Sequence, residues 1–260
     1  MAEGRFYTAQ LQAGLGLITE TRQLLELHEP GLSVAALTER ALASGRFPLV
    51  TARRLRNIVA ECFAPRYLRS PNTAAVLKRL APHLARAEFN QLLLIHTARA
   101  NLVLADFIRE VYWPRYAAGR DALTLDDARE FVIAAMRAGR TQKPWSDTTI
   151  RRVATYLLGC CADYDLLGGN GRGPRPIQPL RLHTKAAAYL AYDLHFQGLG
   201  DNQILTHEDW QLFGLTPDDV RDLLKRLSLQ GLLILQSAGD VVHVGWTCKT
   251  LDELSDVITR

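Results

Sequence analysis

The 260-residue chain has only four cysteines, and no two of them form a CxxC pair. Cys62, Cys160, Cys161 and Cys248 are too scattered for a zinc knuckle, and the adjacent Cys160 and Cys161 point to different faces of a helix. That usage argues against a disulfide framework and reads as buried thiols in a reducing cytoplasm. The N-terminal stretch MAEGRFYTAQLQAGLG lacks the basic-then-apolar pattern of a secretory signal. Long uncharged hydrophobic runs are missing too. The most apolar one, residues 90–108, is interrupted by His96, Arg99, Asn101 and Asp106, which makes it a poor membrane span. The seven histidines are scattered, with no HExxH, no paired carboxylates and no spacing that puts three metal ligands on one face. There is no Gly-x-Ser-x-Gly elbow, and the glycine-rich stretch 168–173 lacks the Lys-Ser/Thr of a phosphate-binding loop. No catalytic residue, metal or cofactor is therefore expected, and the chain reads as a non-enzyme. With 48% hydrophobic and 22% charged residues, it has enough apolar side chains for two or three small cores and no sign of disorder.

What the chain does have is local positive charge. The formal net charge of +4 is modest, but its distribution is uneven. Residues 46–79 hold eight Lys/Arg against Glu61 (+7) and residues 137–185 hold nine against three acids (+6), which leaves −9 for the remainder. Either a polyanion docks on these two segments, or they are solvated helix faces.

The second segment has a recognisable form. Trp145–Leu182 reads as a helix capped by Ser146, with Asp147 in its first turn and an apolar face of Ile150, Val153, Ala154, Leu157, Leu158 and Cys161. Gly168, Gly169, Gly171 and Gly173 then surround Arg172, and Pro174-Arg175-Pro176 leads into an alternating tail. A helix followed by two short strands around a basic glycine tip is the sequence form of a winged helix. Before it, Thr124 caps a helix through Met136, and residues 138–144, including Lys143, form a polar turn.

Elsewhere the pattern predicts helices. Residues 8–28 form a first one, stopped by Glu29-Pro30-Gly31. Ser33 caps a second through Ala43, and a longer one begins near Thr51 with Arg53, Arg54 and Arg56 in its first two turns. The last two make a helix-turn-helix candidate. Pro65-Arg66-Tyr67 and Ser70-Pro71-Asn72 mark breaks, a helix covers 72–80, and the apolar region Phe89–Val111 is the N-terminal core, closed by Tyr112-Trp113-Pro114-Arg115-Tyr116. Those rings cover a core edge or stack bases. Lys185–Phe196, a short helix from Thr206 to Gly214, a helix over 217–229 and a hairpin through Gly239-Asp240 form a second winged-helix candidate. Its helix opens with Asp218, Asp219 and Asp222, so packing or dimerisation suits it better than DNA. Thr250 caps a last helix over 251–258.

The runs Leu15-Gly16-Leu17-Ile18-Thr19-Glu20-Thr21-Arg22-Gln23-Leu24-Leu25, Arg66-Tyr67 and Trp145-Ser146-Asp147-Thr148-Thr149-Ile150-Arg151-Arg152, with Asp165-Leu166-Leu167, resemble the BrxA family of bacteriophage exclusion (BREX) systems. The resemblance spans nearly the whole chain. It implies a cytoplasmic, non-catalytic component of a phage-defence cassette, likened to the RNA-binding factor NusB and also credited with DNA binding. It carries no catalytic residues.

The expectation is a mainly α protein: a helical domain over 1–118 with a helix-turn-helix-like start, a winged-helix-like module over 119–183, and a second such module over 184–260, each module with a short β-hairpin. It binds nucleic acid, with duplex DNA as the leading partner, through Arg53, Arg54, Arg56, Lys143, Arg151, Arg152, Arg172 and Arg175. NusB-like RNA binding and a scaffold for other phage-defence proteins are the alternatives, and homodimerisation is open.

Overall fold

The computed structural model describes residues 6–9, 15–70, 72–169, 173–238 and 241–260. It is mainly helical, as expected, and among the described residues its strands form two small antiparallel two-stranded sheets. The chain divides into two compact units, Met1–Lys78 with Leu93–Leu180, and Arg79–Leu92 with Arg181–Arg260.

The first unit opens with α1 (Ile18–Leu27), α2 (Val34–Ala43) and α3 (Ala52–Asn57). Ser33 and Thr51 cap the second and third as their sequence positions predict, accepting from Ala36 N–H at 3.1 Å and Arg54 N–H at 3.2 Å. The expected start of the first helix at residue 8 is corrected: α1 begins at Ile18. The backbone of residues 15–16 is committed to tertiary bonds. Gly16 N–H donates to Asp163 Oδ2 at 2.8 Å, and Arg66 donates to Gly16 O at 3.2 Å and Leu15 O at 3.0 Å. A Cβ at Gly16 would lie 2.7 Å from that of Asp163, so no other residue fits there. Leu17 then adopts a left-handed conformation (φ 49°), which breaks any incoming helix.

After α4 (Ala64–Tyr67) come α5 (Thr73–Leu80), α6 (Arg86–Ala100), α7 (Leu102–Phe107) and α8 (Trp113–Ala117). The break expected at Pro65 is also corrected, because the chain stays helical through it, whereas the helix expected to close at residues 112–116 runs through Pro114 and ends at Ala117. A π-helical turn, Ile58–Phe63, joins α3 to α4, and another, Ile108–Tyr112, joins α7 to α8. The wider turn, with bonds such as Ala64 N–H to Val59 O, relieves the clash a proline ring makes with the preceding turn. The two sites share one motif: Glu61-Cys62-Phe63-Ala64-Pro65-Arg66-Tyr67 matches Glu110-Val111-Tyr112-Trp113-Pro114-Arg115-Tyr116 at Glu, aromatic, Pro, Arg and Tyr. In each copy the arginine fixes the approach to another helix. Arg66, 5% exposed, holds the backbone ahead of α1. Arg115 pairs at 3.0 Å with Asp127, in the first turn of α9 (Leu125–Arg137).

Strand β1 (Ala122–Leu123) precedes α9; α10 (Asp147–Asp163) and β2 (Arg175–Pro176) follow it. β1 pairs antiparallel with β2, and Leu167 bridges Ile177 on the other side, so the tail after α10 is flanked by two short partners. Helices α9 and α10 pack together, burying Phe131, Val132 and Ala135 from one and Ile150, Val153, Ala154, Leu157 and Leu158 from the other. Cys62, Cys160 and Cys161 are buried, and burial pushes the Cys160 thiol up to about 12.

In the second unit α11 (Thr184–Phe196) is buried from Ala186 to Leu194, an apolar helix enclosed on all sides. It packs against α12 (Asp201–Leu205), α13 (Pro217–Leu229) and α14 (Leu251–Ile258). A 3₁₀ turn, Glu208–Phe213, ends at Gly214, and Thr216 caps α13 with Pro217 in its first turn. Strands β3 (Leu233–Ala238) and β4 (Val241–Trp246) form the expected hairpin; residues 239–240 at its turn lie outside the described residues. The Tyr192 hydroxyl ties α11 to it, donating to Leu232 O at 2.7 Å and accepting from Thr247 N–H at 3.0 Å. The amide of Gln91 fixes the entry to α11, donating to Arg181 O at 2.7 Å and accepting from His183 N–H at 2.9 Å.

Arg66→Ala removes the charge-assisted hydrogen bonds to Leu15 and Gly16, each contributing roughly 1.5–3 kcal/mol, and is expected to cost about 3 kcal/mol or more in denaturant unfolding. Arg115→Ala, at a site where the arginine keeps 32% of its side chain exposed, is expected to cost no more than about 1 kcal/mol. Equal losses would show that the two copies of the motif bear equal weight.

Asp127 gives a pH dependence. Its burial raises the carboxyl pKa, but hydrogen bonds from the Thr124 hydroxyl (2.7 Å) and N–H (2.9 Å), with Arg115 beside it, bring the value below the usual carboxylate range. A carboxyl whose folded-state pKa is depressed adds stability above its unfolded value, and that stability is lost as pH falls through the folded value. The stability gap between wild type and Asp127→Asn should therefore shrink between pH 7 and pH 3 in denaturant titrations. A gap that stays constant would contradict this.

Candidate nucleic-acid interface

The eight arginines and lysines singled out by sequence all lie in the numbered span of the first unit. Arg172 lies outside the described residues, as does the tip 170–172. Arg53 and Arg56 are exposed and Arg54 half-exposed on the first turns of α3. Arg151 and Arg152 are exposed on α10, and Lys143 is exposed in the turn just ahead of it. Arg175 is different: half-buried on β2, it directs its guanidinium to the carbonyls of Leu158 and Gly169, both at 3.5 Å.

Helix α10 is built to present one polar stripe. Ser146 Oγ accepts from Thr149 N–H at 3.3 Å and caps its N-terminus, and the apolar face sets its rotation. That leaves Thr148, Arg151, Arg152 and Thr155 exposed together at helical spacing.

Charge counts along the sequence overstate the free positive charge. Within 46–79, Arg46 pairs with Glu26, Arg66 is taken up by backbone carbonyls, Lys78 donates to His28 O at 2.7 Å, and Arg79 sits 3.5 Å from Asp252 and 3.4 Å from Asp256. Within 137–185, Arg140 is held by Glu110 at 2.6 Å. Arg53, Arg54, Arg56, Lys143 and Arg151 make no ion pair among the described residues.

Sequence reasoning missed the group that sets the turn into α10. Tyr7 N–H donates to Arg140 O at 2.7 Å, and the Tyr7 hydroxyl donates to Asp106 Oδ2 at 2.7 Å while accepting from the Arg140 guanidinium at 2.9 Å. Burial and the Asp106 carboxylate raise the Tyr7 pKa, so the phenol stays protonated. The partners are 99 and 133 residues from Tyr7, beyond any local pattern. The repeated Glu-x-aromatic-x-Pro-Arg-Tyr motif was the available signal for Glu110.

Among the described residues there is no cluster of three or more His, Cys, Asp or Glu that could hold a metal ion, and no helix is long and apolar enough to cross a membrane. No curated protein matches the sequence. A crystal structure of an uncharacterized protein from Magnetospirillum magneticum is similar with a TM-score of 0.60 at 14% identity, covering 80% of this chain and 97% of that one, a likeness of fold alone. The family model of BrxA matches residues 5–193, from ahead of Tyr7 into α11. The chain therefore belongs to the BrxA family, which makes it a component of a BREX phage-defence system.

Proposed function

We propose that the chain is a non-catalytic, duplex-DNA-binding component of its defence system, with α10 as the helix that enters the groove. One observation carries this reading: Arg151 stands exposed on the polar stripe of α10 and has no ion-pair partner among the described residues. The order of elements supports it. Helices α8, α9 and α10, with β1 between the first two and a short β-paired tail after the third, follow the sequence of a winged helix. In that arrangement α10 is the recognition helix and the β-paired residues after it, 167 and 175–177, stand at the base of the wing.

The stripe suits the partner chemically. Arginines meet phosphates and guanine edges, and threonine hydroxyls reach either backbone or bases. Lys143 sits at the entrance, and Arg53, Arg54 and Arg56 supply a second contact. Arg175 steadies the wing base through carbonyls rather than meeting phosphate.

The corresponding helix of the second unit lacks such a field. On α13, Asp218 lies 3.4 Å from Arg221 and Asp222 lies 2.9 Å from Lys225, so two of its cations are paired within the helix, and its three acids offset its three cations. A role in holding another defence protein or a second copy fits that surface better.

The test is a titration of labelled duplex across salt. Arg151→Ala with Arg152→Ala is expected to weaken binding on every sequence and to lower the slope of log K against log salt by about 0.9 for each phosphate no longer met. Arg221→Ala should leave the slope unchanged. An unaltered slope in the double variant would rule out α10 as the contact, and tighter binding of single-stranded RNA of equal length would favour an RNA partner.

A further inference from the structure

Leu49 is 98% exposed at the tip of the turn between α2 and α3. The turn holds it there. Val50 N–H donates to Phe47 O at 3.1 Å, Pro48 occupies the second turn position that its fixed φ suits, Phe47 is buried, and the α3 cap begins at Thr51. An apolar side chain is thus presented to water on a tightly closed loop. Directly after it come Arg53, Arg54 and Arg56, without ion pairs among the described residues, whereas Arg46 on the other side is taken by Glu26.

We propose that this loop is an apolar-tipped basic finger that enters the minor groove of duplex DNA, with Leu49 wedged at a base step and the α3 arginines on the flanking phosphates. The proposal rests on the duplex-binding reading above and adds a second point of contact with a distinct mechanical effect. A partner for this tip must be apolar at its centre and anionic at its rim. A base step between two phosphate rows has that form, and wedges of this kind partly unstack the step and kink the duplex. A second copy of the chain fits poorly, because two arginine-bearing fingers repel each other. Leu229, 88% exposed at the end of α13, lacks the same setting, because no basic run follows it as Arg53, Arg54 and Arg56 follow Leu49, and its helix opens with Asp218, Asp219 and Asp222.

The experiment uses the full chain and a set of duplexes carrying 2-aminopurine at successive steps, with dyes at the two ends. Wild type should raise 2-aminopurine emission at one step and shorten the end-to-end distance. Leu49→Ala should abolish both changes, keep the salt slope, and alter affinity by less than about tenfold, since the apolar burial it forfeits and the unstacking it avoids offset each other. Leu49→Phe should restore the emission rise. Binding by wild type with no emission change at any step overturns the wedge and leaves the α10 reading intact; no duplex binding at all overturns both. An emission rise of equal size in Leu49→Ala, or sedimentation showing that Leu49→Ala separates a dimer without affecting emission, also overturns it.

Discussion

A buried guanidinium gripping backbone carbonyls holds the first unit together. Arg66 lies in the core, and its two terminal nitrogens donate to the carbonyls of Leu15 and Gly16. Burying a charge is costly unless it is hydrogen-bonded, and carbonyls serve its terminal nitrogens without bringing a second ion into the core. The same Gly16 carbonyl accepts from Tyr164 OH at 3.3 Å, and Thr97 lies 2.7 Å from Tyr164 OH and 3.4 Å from Tyr67 OH. Donation from Tyr67 to Thr97 to Tyr164 to Gly16 satisfies every hydroxyl in that line. Four segments distant in sequence, at residues 16, 66–67, 97 and 163–164, are therefore fixed by one polar network, where each loss would strand the others.

That network explains which parts of the fold the sequence could disclose. Helix starts were legible wherever a single side chain satisfies the free N–H groups: Ser33, Thr51, Thr124, Ser146, Thr216 and Thr250 all cap the helices expected of them. The apolar faces of α10 and α13 were legible for the same local reason. The first helix was not, since the residues that withdraw its N-terminal backbone, Arg66 and Asp163, lie 50 and 147 positions from Gly16. Pro65 reads as a break because the rule that proline ends a helix assumes regular turns, and a π turn suspends it. Strand β1, two residues long, has no periodicity to read, and α12 is hidden by its five-residue length.

Of the candidate residues, the surface position of most was legible and the charge left free around them was not. Lys143, Arg151, Arg152, Arg53, Arg54 and Arg56 are on the surface, yet summing charge along the chain counted Arg46, Arg66, Lys78, Arg79 and Arg140 with them. Each of those five is held by another part of the fold. Arg175 belongs between the groups, with carbonyl partners at the long limit of a hydrogen bond. A polyanion meets the charge that remains after internal pairing, so partner assignment decides more than composition does.

Long-range bonds also fix how α10 is presented. Its far end is tied through Asp163 to Gly16, and the turn before it is tied through Arg140 to Tyr7, Asp106 and Glu110. Residues 7 and 16 thus bracket a helix more than 130 positions away in sequence. A helix fixed at both ends by the segment that opens the chain has little freedom to rotate its polar stripe into the core. In the proposed duplex contact, such a helix would need little further ordering, which lowers the entropic cost of docking. The C-terminal α13 achieves order differently, by a cap and charge pairs within itself, which engage Arg221 and Lys225 and leave its three cations balanced by three acids.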